Sequence, residues 1–211
     1  KWKRIKIQFI RGWHIFISKI SINLYGATNT FILGIFTTDT IVGYYAIAEK
    51  VVRIITSLFA PFYQTIYPHV VNIIKKPKNE AAQFLKRVFK YSLGISTIVF
   101  LLSVLLGEFS LLLVFGEEAK NSINIFYILS PLIIILPMAY LFFNVILLSF
   151  KLDKYFSKLY IIGGITNLSM IFILFQFLEK KIIAVSLSLL ITELLIMLLA
   201  YILIKNKGLM D

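Results

Sequence analysis

Cysteine is absent from the chain, so neither a disulfide framework nor a thiolate metal site is available to it. Histidine is nearly absent too. His14 and His69 lie in different segments with no carboxylate at ligand spacing, and no metal site or other cofactor is expected. Charge is the third scarcity: only 15% of the 211 residues are charged, against 59% hydrophobic, with a mean hydropathy of +0.89. A soluble domain carries about 25% charged residues. A chain with so little charge needs a solvent that does not demand it, and lipid is that solvent. The usual signatures of an enzyme are missing as well. There is no Ser/His/Asp grouping, no paired carboxylates at an interface, no phosphate-cradling glycine loop, and the loops are short. Catalysis is not expected.

The charge that is present has a strong sign, +12 at pH 7. Nucleic acid is excluded as a partner by its distribution, because the basic residues stand in short clusters between apolar runs and not along one solvated face. Such clusters orient membrane spans first and hold anionic lipid second. The apolar runs cover 13–36, 41–74, 91–115, 123–150, 159–178 and 182–204, each long enough to cross a bilayer as a helix. The second is long for one span and is interrupted by Pro61 and Pro68. Pro131 and Pro137 fall within the fourth. In lipid a proline is tolerated only where protein or water satisfies the freed carbonyl, as in the broken helices of transporters or in packing kinks. The expectation is an all-α, polytopic membrane helix bundle of about six transmembrane helices. Residues 1–11, 75–90, 151–158 and 205–207 hold most of the basic residues, on alternate loops and termini. The other side holds Lys120, Lys180 and Lys181 among Asp39, Glu117, Glu118 and Glu179. Both termini are therefore expected in the cytoplasm. Within 75–90, apolar residues recur at helical spacing between Lys86, Arg87 and Lys90, which predicts a short amphipathic helix lying on the cytoplasmic leaflet, with a solvated connector as the alternative.

Polar residues inside the spans are the candidates for function. An ion at the bilayer centre costs about 2.5–3.5 kcal/mol on insertion scales, so each needs a partner, a cavity or an escape route. Lys19, Asn23, Gly26 and Thr30 make a polar stripe on one face of the first span, with Tyr25 and Asn29 in the row beside it. That stripe predicts a cavity-lining face, against simple snorkelling of Lys19. Glu49 and Arg53 are spaced to pair on one helix face, and Lys50 lies one turn from Arg53. The group reads either as an ion pair holding the bundle or as a cationic surface for an anionic cargo. Glu193, beside Thr192 in the sixth span, reads as a proton or cation site or as a partner for a buried cation such as Lys19 or Arg53.

The stretch Val42-Gly43-Tyr44-Tyr45-Ala46-Ile47-Ala48-Glu49-Lys50-Val51 resembles the VGxYxxAxK segment of polysaccharide transporters, the flippases of lipid-linked O-antigen or capsule repeat units. Pro61-Phe62-Tyr63-Gln64-Thr65-Ile66-Tyr67-Pro68 is similar to the segment C-terminal to it in that family. Both the stretch from Gly12-Trp13 through Tyr25 and the run Phe115-Gly116-Glu117-Glu118 fit the same pattern. The family it resembles belongs to the multidrug/oligosaccharidyl-lipid/polysaccharide exporter superfamily, with about twelve spans in two six-helix bundles. The resemblance implies that residues 1–211 are the C-terminal bundle and that an N-terminal bundle completes the cavity. That the chain opens on Lys1 fits this expectation.

The resemblance carries further implications. The protein would sit in the bacterial inner membrane and flip an undecaprenyl-diphosphate-linked oligosaccharide by alternating access. Lys19, Lys50 and Arg53 would neutralise the diphosphate, Glu49 would stand in the same cavity beside Arg53, and Asn23, Tyr25, Asn29 and Gln64 would bond the sugars. Glu193 would couple transport to a cation gradient. Besides the lipid-linked oligosaccharide and membrane lipids, polymerase and glycosyltransferases of the same pathway are candidate partners. Two rivals stand beside this reading: a drug/cation antiporter of the same superfamily, and a non-transporting membrane subunit of a glycan polymerase or export complex.

Overall fold

The computed structural model describes residues 27–210, and within them every regular element is helical. Lys19, Asn23 and Tyr25, and the first basic cluster, lie outside the described residues. Helix α1 is described over Ala27–Phe36. It is followed by α2 (Asp39–Ser57), α3 (Phe59–Ile73), α4 (Lys78–Phe115), a short 3-10 turn (Glu117–Ala119), α5 (Lys120–Leu129) and α6 (Leu132–Tyr140). A π-helical stretch (Leu141–Leu147), α7 (Asp153–Phe177) and α8 (Lys181–Asn206) complete the chain.

The breaks follow from proline chemistry. Leu58 keeps helical angles (φ −62°, ψ −21°) yet divides α2 from α3. Pro61 has no N–H for the carbonyl four residues back, and its ring crowds that carbonyl, so the helix gives way just upstream of the proline. Pro68 is carried inside α3. Between α5 and α6 the axis bends by 52° at Ser130-Pro131, where Pro131 caps the start of α6. Gly116 ends α4 with φ at +70°, a conformation that a side chain would strain.

One element differs from its sequence expectation. Residues 78–90 are not a separate helix on the leaflet but the opening turns of α4, which runs unbroken for 38 residues, about 57 Å at helical rise. Its apolar face (Ala81, Ala82, Leu85, Val88) is buried in the bundle, with Leu85 and Val88 in the same core as Val70 and Ile204, and is not laid on lipid. With no proline or glycine between Lys78 and Gly94, nothing in the sequence stops the helix.

The core divides along the bundle. One half gathers Val70, Leu85, Leu147, Phe156 and Ile204, and the other gathers Leu33, Tyr45, Leu111, Phe126 and Val185. Successive spans therefore run in opposite directions between two ends. The first end carries Lys75, Lys76, Lys78, Lys151, Lys154, Lys205 and Lys207; the second carries Glu117, Glu118, Glu179, Lys120, Lys180 and Lys181. Small residues let the helices close up: a Cβ on Gly107 would collide with the Phe126 ring, and one on Gly163 would lie 3.0 Å from Ile196.

Among the described residues, α4, α7 and α8 are long and apolar enough to cross a membrane, and the bent α5–α6 pair with its π stretch makes a fourth if counted as one span. The expectation of six counts α1 and the divided, more polar α2–α3 in addition. Leu105, Phe109 and Leu113 on α4 and Ile165, Phe172 and Phe177 on α7 are exposed. Apolar surface on this scale belongs in lipid. The chain is a multi-pass membrane bundle.

Candidate functional site

The site grows from the amphipathic pattern of α2. Tyr45, Ala48 and Val52 form its buried face, and Glu49 and Arg53 stand one turn apart beside them. Arg53 Nε donates to Glu49 Oε1 at 2.8 Å, with Nη2 at 2.7 Å from the same oxygen. The carboxylate is the more sheltered partner, its side chain 13% exposed against 48% for the arginine. Asn29 of α1 is buried beside the Tyr45 phenol.

Across from this pair, α8 brings the buried Glu193 within electrostatic reach of Arg53. Both residues border a cavity of about 270 Å³. A constriction of about 10 Å³ next to it is lined by Glu49, Arg53 and Glu193 together with Val52, Leu132 and Leu189. Glu193 and Arg53 thus border the same two hollows, although Arg53 is half exposed and not the buried cation that the sequence reading named.

The rest of the cavity wall is aromatic and neutral. Tyr63 of α3 stacks on Tyr140 of α6 with centroids 5.3 Å apart and planes 20° from parallel. Tyr160 of α7 closes another side, held by Phe143 at 4.5 Å, and the π stretch contributes Asn144. Thr56 and Ser57 add hydroxyls, each donating to a carbonyl of its own helix, Thr56 Oγ1 to Arg53 O at 3.1 Å and Ser57 Oγ to Ile54 O at 2.7 Å. Their oxygens still accept from a ligand. A π stretch that places a polar side chain in a cavity is a recurrent functional device.

Lys50 and Arg53, the predicted cations among the described residues, do not converge here. Lys50 is exposed and is not on the cavity wall, and neither Gln64, also exposed, nor Asn29 lines it. Arg53 does, and it is accompanied at the constriction by two carboxylates, Glu49 and Glu193. A single helix cannot reveal which acid a second helix supplies. Sequence reasoning missed Tyr140, Asn144 and Tyr160, and passed over Tyr63 as a site residue. Asn144 carried a usable signal, the one polar residue in the apolar run Leu141–Leu147. The tyrosines carried none, since aromatic rings are as common in cores as in sites. Among the described residues no group of three or more acidic or histidine side chains could hold a metal ion.

Comparison with known proteins agrees with this architecture. The sequence model of the family described as "Polysaccharide biosynthesis protein" matches residues 1–74, which include α1, α2, α3 and the Glu49–Arg53 pair. A "Putative O-antigen transporter" of Escherichia coli (strain K12) is 28% identical over 209 residues, covering 94% of this chain and 48% of the relative. The chain thus spans about half the length of the curated relative it matches. No solved structure matches it. The Val42–Val51 stretch lies inside the matched segment, so over α1, α2 and α3 the chain is similar to the polysaccharide biosynthesis family, and over nearly its whole length to one half of a putative O-antigen transporter.

Proposed function

We propose that this bundle forms one wall of a flippase that moves an undecaprenyl-diphosphate-linked O-antigen or capsule oligosaccharide across the bacterial inner membrane by alternating access. The observation that carries the reading is the cavity bounded by Tyr63, Tyr140, Tyr160, Asn144, Arg53 and Glu193. Sugars present hydroxyls that both donate and accept, and flat C–H faces. The Tyr140 phenol, the Asn144 amide and the charged pair answer the first, and the tyrosine rings bordering the cavity answer the second. Carrying such a head group through hydrocarbon without partners would cost several kcal/mol for each unsatisfied polar group. The cavity supplies those partners at the depth of the spans.

The cluster around Arg53 fits a sugar better than a diphosphate, because Glu49 and Glu193 offset its charge. The diphosphate is assigned instead to Lys50, exposed on α2, and to Lys19, with Asn23, Tyr25 and Gln64 as further hydrogen-bonding groups; Asn29, buried against Tyr45, is not among them. Lys50 shares an exposed face with Arg53 and Ser57. A charged face of this kind is unfavourable against lipid, and it supports a second bundle of the same protein standing opposite, with the transport path between the two. Glu193 is the proposed coupling residue.

The test is restoration of surface polysaccharide in a strain lacking its own O-antigen transporter. Full-length protein restores it, and Tyr63→Ala with Tyr140→Ala abolishes export while the protein still reaches the membrane. Full export by that double variant would refute the sugar-binding role. One observation favours a second reading: Glu193 on the cavity wall, with Glu49 at the adjoining constriction, is an acidic arrangement of the kind that a drug/cation antiporter needs. Liposomes separate the two, since the antiporter exchanges cationic dyes for protons and leaves lipid-linked sugar in its leaflet. A non-transporting subunit of a polymerase complex would move neither.

A further inference from the structure

Two further hollows lie on the opposite side of α2–α3 from the tyrosine-lined cavity. One, of about 200 Å³, is bounded by Leu58, Phe59, Phe62, Ser92, Ile95 and Val99. The other, of about 260 Å³, lies between Val51, Ile55 and Leu58 on one side and Val99, Leu102, Ser103, Leu106 and Ser110 on the other. They share Leu58 and Val99, so together they make one groove between α2–α3 and α4. On α4 its floor runs from Ser92 to Ser110 at helical spacing, about 27 Å at 1.5 Å per residue, which matches the hydrocarbon thickness of about 30 Å. Small residues (Ser92, Ser103, Gly107 and Ser110) keep the floor low. The groove opens sideways, with Leu58 72% exposed and Ile95, Leu102 and Leu106 exposed as well. It is a membrane-spanning trough entered from lipid.

The trough is continuous with the polar cavity. Phe59 lines both, and Tyr63 of the cavity stands beside Ser92 of the groove. On α2 the same two turns send Arg53, Thr56 and Ser57 to the cavity and Val51, Ile55 and Leu58 to the groove. A polar chamber and an apolar trough of bilayer length, divided by Phe59 and Tyr63, match a ligand with a polar head and one long hydrocarbon tail.

We infer that the α2–α3/α4 groove holds the polyisoprenyl tail of the lipid carrier while the sugar occupies the tyrosine-lined cavity, an inference that rests on the transport reading above. The tail then stays in hydrocarbon along α4 and enters from the side, so only the head has to cross through protein. The tail is in hydrocarbon before and after docking, so van der Waals packing along the groove, and not removal from water, holds it there. The net gain comes from fit and from being tied to the head group.

The experiment is photoaffinity labelling of the full-length protein in phosphatidylethanolamine/phosphatidylglycerol vesicles. The probe is a sugar-free polyisoprenyl diphosphate with a photoreactive group on its tail. Label is expected in the peptide covering residues 92–106, competed by unlabelled polyisoprenyl diphosphate and not by added phosphatidylglycerol. Leu58→Trp, which fills the trough at an exposed position, is expected to weaken labelling about tenfold through lost packing contact with the tail. Ser103→Leu acts in the same direction, and Leu113→Trp, equally exposed on α4 but outside the trough, leaves labelling intact. Equal competition by phosphatidylglycerol means that an ordinary acyl chain fills the groove and overturns the inference, as does labelling indifferent to both Leu58→Trp and Ser103→Leu. The transport reading fails separately. Full export by the Tyr63/Tyr140 double variant sinks the sugar cavity even where the tail is labelled, and absent labelling with normal export sinks the groove alone.

Discussion

Removing the guanidinium from the charged cluster gives the sharpest test of how the cluster is built. Arg53→Met keeps most of the side-chain length and apolar contact but takes the cation from a site holding Glu49 and Glu193. Glu49 is 13% exposed and accepts both short contacts from Arg53, at 2.7 and 2.8 Å. Breaking a fully buried pair by removing one partner costs about 3–5 kcal/mol, whereas an exposed pair contributes about 0.2–1 kcal/mol. With the arginine side chain 48% exposed, the pair falls between these limits. The Arg53–Glu49 coupling is therefore expected at about 1–3 kcal/mol.

A double-mutant cycle measures it. Arg53→Met, Glu49→Gln and the combination are unfolded reversibly by SDS titration in mixed micelles, and the interaction energy is the departure from additivity. Arg53→Met alone is the most destabilised, and adding Glu49→Gln returns part of the loss because a stranded charge is gone. Glu193→Gln in the Arg53→Met background is expected to do the same, more weakly. Singles that add within about 0.5 kcal/mol would show that the pair is a solvated surface contact and not a structural one.

Other substitutions probe packing, the site and the orientation. Gly107→Ala drives a methyl into the Phe126 ring and is expected to destabilise by about 1–3 kcal/mol in the same titration, partly relieved by Phe126→Leu. Gly163→Ala, facing the more yielding Ile196, costs less. Asn144→Leu removes the amide from the cavity; export in the complementation assay falls severalfold while stability holds or rises, since a polar group is withdrawn from apolar surroundings. Because the chain has no cysteine, single cysteines report sidedness directly. Lys154→Cys and Lys205→Cys label with an impermeant maleimide only from the cytoplasmic side, and Glu117→Cys and Glu179→Cys only from the other.

Much of this fold is readable from composition and charge, because a bilayer imposes two rules that a single sequence displays. Apolar runs must be long enough to cross, and basic loops must alternate. The α4, α7 and α8 helices, the bent fourth run and the two chemically distinct ends all obey these rules. What escaped is whatever depends on a second helix. The sheltered partner of Arg53 within α2 was legible from the i, i+4 spacing, but the approach of Glu193 was only one of several options. Tyr140 and Tyr160 gained meaning only once α6 and α7 were set beside α3. The opening of α4 shows the same limit: amphipathic spacing over 78–90 marks a helix with one apolar face, but not whether bundle or lipid covers it.

The α2–α3 junction shows why such pairwise information matters for transport. Its break at Leu58 is a local consequence of Pro61, and by itself it is a packing kink. Around it, however, are Arg53, Thr56 and Ser57 on one side, Val51, Ile55 and Leu58 on the other, and Phe59 and Tyr63 as the partition. A helix already interrupted at this height can tilt its two halves without breaking further backbone hydrogen bonds. Movement of α3 against α2 would then change the cavity and the groove together, because they share a wall. An unbroken helix would resist that motion at each hydrogen-bonded turn. Replacing Pro61 by alanine, which restores the missing donor, is accordingly expected to stabilise the junction while slowing export. A variant both more stable and fully active would show that the break is only a kink.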